Sequence, residues 1–471
     1  MAASGQVSIV AEESGASMDS SRLQEIERYR IQLQELESEF GQYHNNLLEP
    51  LASIVSLQRE NGDYEAVAKI LDRQLQVMRA VRGLQHLDTI PILRDIVRNQ
   101  IQLGNWAEVS DHLAHVSSIH QGNGDDPLAQ LQALDDQASW YLNRINLDDS
   151  GRRARNFFAA RELFEEMERL SVDSFGEDSP QNYPWFYKKA INKYQLVELL
   201  NSSGGLSSRA IRLLIREDGQ SKLQSFSSGR ASLYDPFGRR NQIPVVDAGK
   251  PIGEAYLRDG TNLIRKIGEI AEKEGDIETQ AMAELYEGDF QLLAGIGLAF
   301  RHYRTARDLL LQAGIDQQHL EQFFNRPAVI PVDTFFRRFD ELIAYQQSQS
   351  IEFTSLVEES VHIGVFTAWS ESLPSTGLPT FAAVTPLQTT SLDPREILNM
   401  NYNRVDLSFN LSSRGRASSI DVLAAVPDER RVQRKAIRAI RGIHFRPRIV
   451  EGKNKRMKDV QIQYQFLQEQ D

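Results

Sequence analysis

The chain has 471 residues, a formal net charge of −12 and no cysteine. Its length leaves room for roughly two to four domains, and the absence of cysteine excludes disulfides, thiolate metal sites and thiol catalysis. The longest apolar run, Leu292 to Phe300, is far short of the ~18 residues a membrane helix needs, so no integral membrane segment is expected.

Charge is uneven along the chain. From Glu396 onward there are 15 Lys/Arg against 9 Asp/Glu, so this end carries +6 and the remainder −18. An acidic body argues against general nucleic-acid binding, because affinity for phosphates comes from basic surface. Arg430, Arg431, Arg434, Lys435, Arg438 and Arg441 read first as the wet face of one amphipathic helix. No basic segment followed by an apolar core opens the chain, so no signal peptide is visible. Two options follow: the protein is cytoplasmic, or the sequence starts after a removed leader.

Residues 1–18 are small and polar and read as a disordered tail. A long helix is expected from about Ser20, with Leu23, Ile26, Leu33 and Leu36 among its apolar residues. An internal repeat follows. Gly62-Asp63-Tyr64-Glu65 and Gly104-Asn105-Trp106-Ala107 lie 42 residues apart (104 − 62). At that offset Leu51 aligns with Leu93, Ile54 with Ile96, Val55 with Val97, Gln58 with Gln100, Val67 with Val109 and Leu71 with Leu113. Each unit is predicted as helix, short Gly-aromatic turn, helix. One helical hairpin cannot bury its apolar face alone, so the units must stack.

The pattern resembles the tetratricopeptide repeat (TPR), whose usual period is ~34 residues. The longer spacing is similar to the kinesin-light-chain type, with Gly83-Leu84-Gln85-His86 at the inter-repeat loop and Gly176-Glu177-Asp178-Ser179 as a later copy without the His. A third unit is expected on Trp140, Tyr141 and Leu142, then Ala160, Phe164 and Met167. A fourth begins near Trp185. Helical repeats thus cover 19–200. Residues 201–250, rich in Ser, Gly and Arg, form a loop or insertion. Further TPR-like helices occupy 251–330. Residues 331–395 are a connector in which Val361, Ile363, Val365 and Thr367 suggest a strand, with a flexible tether as the alternative.

The last segment, 396–471, reads strand, strand, helix, strand. Val405, Leu407, Phe409 and Leu411 alternate with polar residues. Gly415 serves a tight turn, and a second strand spans Ala417 to Ala425. Pro427 is placed in the first turn of a helix, which carries Val432, Ile437 and Ile440 and ends before His444-Phe445-Arg446-Pro447. Val460, Ile462, Tyr464 and Phe466 alternate to the end. This order resembles the TonB C-terminal domain. The resemblance implies a periplasmic module whose last strand pairs with a peptide of a TonB-dependent outer-membrane transporter. The missing membrane anchor and Pro-rich spacer leave energy transduction without support.

The fold expected is therefore mainly α, a TPR-like α-solenoid followed by a small α+β TonB C-terminal-like domain. The function expected is non-enzymatic scaffolding, with no cofactor and with proteins or peptides as partners. Two candidate sites follow. In TPR geometry the first helices line the concave face, where Arg94 and Arg98, one turn apart, with Gln102 next, could grip an acidic peptide. The equally weighted alternative pairs these arginines with neighbouring repeats. The second site is the final strand, with Val460, Ile462, Tyr464 and Phe466, as an open β-edge for an extended peptide. No metal site is expected: His112, His115 and His120 read as repeat surface, Gly249-Lys250-Pro251 lacks phosphate-loop spacing, and Asp125-Asp126 and Asp148-Asp149 read as turn acids. The alternative function is a cytoplasmic TPR adaptor whose C-terminal module is purely structural.

Overall fold

The computed structural model describes residues 5–124, 126–148, 150–201, 206–223, 253–297, 299–348, 361–368 and 392–468. Most of the 201–250 insertion, the Gly249 to Pro251 stretch, Asp125, Asp149 and much of the connector lie outside the described residues. Contacts divide the chain into two compact units: 1–140 with 391–399, and 141–390 with 400–471. This grouping differs from the expected division at 200, 250, 330 and 395, because both ends of the connector pack onto folded neighbours.

The first unit opens with α1 (Gly5–Phe40). Helix therefore covers residues 5–18, where a disordered tail was expected; once nucleated, a helix gains one hydrogen bond per added residue. Then come α2 (Leu48–Glu60), α3 (Tyr64–Arg82), α4 (Ile90–Gln102), α5 (Trp106–Asn123) and α6 (Pro127–Leu147), within which the two units divide. The main-chain bonds of the turn recur at offset 42. Gly62 and Gly104 both sit at φ +73°, a left-handed conformation open to glycine. After them Asp63 N–H donates to Gln58 O at 3.1 Å, and Asn105 N–H to Gln100 O at 2.9 Å. All twelve aligned residues, from Leu51 and Leu93 to Leu71 and Leu113, are buried.

In the second unit lie α7 (Arg153–Phe175), α8 (Tyr183–Asn201), α9 (Ser208–Asp218), α10 (Glu254–Glu274), α11 (Ile277–Leu293), α12 (Ala299–Gln312), α13 (Gln317–Asn325) and α14 (Phe339–Ser348). The α10–α11 turn reuses the chemistry of the first unit. Asp276 accepts from Thr279 N–H at 3.1 Å, as Asp63 accepts from Ala66 N–H at 3.0 Å. The loop after α13 enters the core: the Tyr187 hydroxyl donates to Val332 O and the Tyr286 hydroxyl to Thr334 O at 2.9 Å.

Asp333 lies between these two carbonyls, and burial pushes its carboxyl up to about 7. The folded chain therefore keeps a proton that the unfolded chain releases near its ordinary value of 3.8. Stability should fall as pH rises from about 4 to about 7, by up to roughly 1.4 kcal/mol per unit from this group. Asp333→Asn should flatten that slope in denaturant melts of the second unit. Parallel slopes for the two proteins would refute this.

The C-terminal part of this unit contains β1 (Ala328–Ile330), β2 (Val361–Ala368), β3 (Tyr402–Leu411), β4 (Ala417–Val426), the Arg430–Gly442 helix, β5 (His444–Arg446), β6 (Arg448–Val450), β7 (Lys453–Lys455) and β8 (Met457–Leu467). The expected order of strand, strand, helix, strand is present in β3, β4, the helix and β8. Pro427 precedes the helix instead of sitting in its first turn, since Glu429 is the N-cap. The main sheet runs β2-β8-β3-β4. One face packs under the helix: Val405, Leu407, Phe409 and Leu411 of β3 join Val460, Ile462, Tyr464 and Phe466 of β8 and Val432, Ala436, Ala439 and Ile440 of the helix.

The last strand is not an edge, and this corrects the expectation. On one flank β3 pairs with β8 antiparallel, from Tyr402↔Leu467 to Leu411↔Met457. On the other, β2 pairs with it in parallel, from Val361↔Val460 to Ala368↔Phe466. The alternation at 361–367 is a strand, and it covers the N–H and C=O groups that an edge would leave unpaired. Val460, Ile462, Tyr464 and Phe466 are core residues, each at most 1% exposed. They therefore have no side-chain surface to offer a peptide.

Candidate protein-interaction site

The face built by α2, α4 and α6 in the first unit brings together most of the polar groups expected of a repeat groove. Arg94, Arg98 and Gln102 recur every four residues on α4 and so share one face. Arg94 is half-buried and donates to Asp136 of α6 at 2.8 Å. Gln132 holds the other oxygen of that carboxylate at 3.2 Å. Arg59 of α2 reaches Asp95 at 3.4 Å. The alternative reading of Arg94, a salt bridge to a neighbouring repeat, is thus the geometry observed.

Arg98 differs from its neighbour. Among the described residues it has no ion pair, and burial, followed by the nearby Arg59 and Arg94, draws its pKa below the ordinary guanidinium value against the pull of Asp95. A guanidinium that is partly desolvated and has no carboxylate partner among the described residues favours an incoming carboxylate.

Gln102 is already occupied. Its Nε2 donates to Ile397 O at 2.5 Å, within the short Pro394–Ile397 turn that packs on α4. Asp393 caps that turn through Arg395 N–H at 2.8 Å and holds the Arg395 guanidinium at 2.7 Å. The chain's own segment thus provides a main-chain acceptor on the very face expected to bind a peptide.

The sequence reading missed three features. Asp136 and Gln132 belong to a helix whose register the 42-residue repeat did not fix. The seat of Ile397 lies 295 residues from Gln102. A third feature was within reach: Gly41-Gln42-Tyr43-His44 lies 42 residues before Gly83-Leu84-Gln85-His86. In both, the His Nδ1 accepts a backbone N–H at the start of a 3-10 turn, from Asn46 at 3.3 Å and from Asp88 at 3.1 Å. Ser179 does the same for Gln181 N–H at 3.3 Å. The recurring His is a cap, which explains why a Ser can replace it.

Other expected positions have structural roles. His115 Nδ1 lies 3.3 Å from Arg79, and burial lowers the pKa of His112, His115 and His120 alike. Asp126 caps α6 through Leu128 N–H at 3.0 Å, and Asp148 pairs with Arg144 at 2.7 Å. A cavity of about 640 Å³ in the second unit is lined by Tyr183, Asp276, Glu278, Arg337 and Arg338. Both of its arginines are paired within the cavity, Arg337 with Asp276 at 3.3 Å and Arg338 with Asp276 at 2.8 Å and Glu278 at 3.2 Å.

No protein-family model matches the chain, and no curated protein is significantly similar to it. Solved structures similar to it include two of a Podosopora anserina putative kinesin light chain with nearly identical TPR-like repeats. One is 16% identical, covering 48% of this chain and 99% of that one, with a TM-score of 0.29. The other, of a point variant, is 15% identical over 44% and 89%, with a TM-score of 0.28. BtubC (BKLC) from P. vanneervenii is 12% identical over 64% and 92%, with a TM-score of 0.27. At these scores the neighbours carry no argument about partners, and the repeat reading rests on the hairpins described above.

Proposed function

We propose that this protein is a non-enzymatic scaffold whose α2/α4/α6 face binds an acidic peptide segment of a protein partner. The observation that carries the proposal is Arg98, a half-buried guanidinium without an ion pair among the described residues, on the same helix face as Gln102. The Gln102 to Ile397 bond supports it as well, since that face already holds one stretch of main chain. Fluorescence anisotropy of a labelled Asp/Glu-rich peptide with the full chain tests the reading. Arg98→Glu should weaken binding about tenfold or more, the equivalent of one charged hydrogen bond of about 1.5 kcal/mol. Binding that is equal in Arg98→Glu and the parent, both melting alike, would end the proposal.

A second reading concerns the C-terminal module. A purely structural role, as in an adaptor, is favoured by the sealed β8 and by the buried ion pair between Arg446 of β5 and Asp289 of α11. A periplasmic location and a link to TonB-dependent transport rest on the order strand, strand, helix, strand alone, and peptide capture at β8 would require β2 to leave first. Titrating the full chain with a periplasm-facing peptide of an outer-membrane transporter, and finding no binding, would remove that link.

A further inference from the structure

Glu284 and Glu287 lie three residues apart on α11, and His302 faces them from α12. One ligand atom from each comes within 4.8 Å of the others. His302 Nδ1 is 2.8 Å from Glu284 Oε2 and 4.0 Å from Glu287 Oε2. Arg265 of α10 meets the same Glu287 oxygen at 3.1 Å. The Glu287 side chain is only 5% exposed, whereas those of Glu284 and His302 are 29% and 22% exposed.

We propose that Glu284, Glu287 and His302 form a binding site for a divalent transition-metal cation. The charge count motivates it. Two carboxylates face one Arg265 and one imidazole, so with a neutral His302 the group is one positive charge short, and one of its carboxylates is buried. A buried charge calls for compensation. A divalent cation held between the carboxylates would supply that compensation. His302 Nδ1 and the two carboxylates converge on one seat, a nitrogen–oxygen donor set suited to zinc. Ligands at about 2.1 Å in tetrahedral geometry lie about 3.4 Å apart. The partly exposed Glu284 needs only a side-chain rotation to reach that spacing. Arg265 would then hold the Glu287 carboxylate from outside, as supporting groups commonly do, and solvent would reach the fourth position beside Glu284 and His302. Such a cation would pin α11 to α12.

Isothermal titration of the EDTA-stripped full chain with ZnCl₂ tests this. Binding of one Zn²⁺ per chain is expected, weakened about tenfold or more in Glu284→Gln and in His302→Gln, since a direct ligand should matter at least as much as an outer-shell partner. It should persist when His112, His115 and His120 are all changed to Gln. Glu284→Gln keeps a hydrogen-bond acceptor for His302, and melts in EDTA check that it folds like the parent. No stoichiometric binding, or binding unchanged by both single variants, would overturn the assignment, as would its loss in the α5 triple variant alone.

Discussion

Arg446→Met and Asp289→Asn should each destabilise the second unit by about 3–5 kcal/mol, the cost of leaving one partner of a buried ion pair uncompensated. The pair is bidentate: Arg446 Nε lies 2.8 Å from Asp289 Oδ1 and Nη2 lies 2.5 Å from Oδ2. The side chains are 2% and 1% exposed. The Tyr303 hydroxyl adds a bond to Oδ1 at 2.9 Å, and the guanidinium lies over the Phe323 ring at 5.4 Å. Asp289 belongs to α11 and Arg446 to β5, which also pairs with β1. This contact therefore holds the terminal strands to the repeat helices of their own unit. The double variant Arg446→Met with Asp289→Leu should recover much of the loss, because a buried pair replaced by apolar groups of similar volume is often neutral. Tyr303→Phe should cost only about 1 kcal/mol. Chemical denaturation followed by the buried tyrosines reads all four. Near-parental stability in both single variants would show that the pair contributes no net stability.

The contrast between that pair and the repeat turns explains what could be read in advance. Gly62 and Gly104 were legible because a hairpin closes within a few residues, and its apolar positions then return 42 residues later. The alternation in β3 and β8 was legible for the same local reason. The neighbours of those elements were not. Thr367 and Gln465, on the paired strands β2 and β8, are 98 residues apart, and Asp289 and Arg446 are 157 apart. Strand periodicity says which face of β8 is buried but not whether a distant segment seals its edge. On α4, helical spacing placed Arg94, Arg98 and Gln102 together, yet the groups that occupy Arg94 and Gln102 come from another repeat and from beyond the repeats. Of the three, Arg98 is left as the sequence presented it, which is why the functional proposal rests on that residue.

Gly415→Ala should disrupt the second unit more than its turn conformation alone would suggest. Its φ of +69° costs an L-residue about 1 kcal/mol or more. Close contact adds a further cost. A Cβ at Gly415 would lie 2.0 Å from Phe445 O and 3.2 Å from the Leu292 side chain. The first of these is main chain held in the β1–β5 pair, so it cannot swing aside. Gly415 O also accepts Phe445 N–H at 3.0 Å, so retreat of the β3–β4 hairpin tip would break a bond at the start of β5, next to Arg446. Gly275→Ala is the matched control within the same unit, with φ +72° and nothing within 4 Å of its Cβ. It should lose about 1 kcal/mol, the conformational cost alone. Gly415→Ala should lose several times as much, seen as early unfolding and rapid proteolysis of the second unit. Equal losses in the two variants would mean that the hairpin tip moves freely and that β5 does not depend on it.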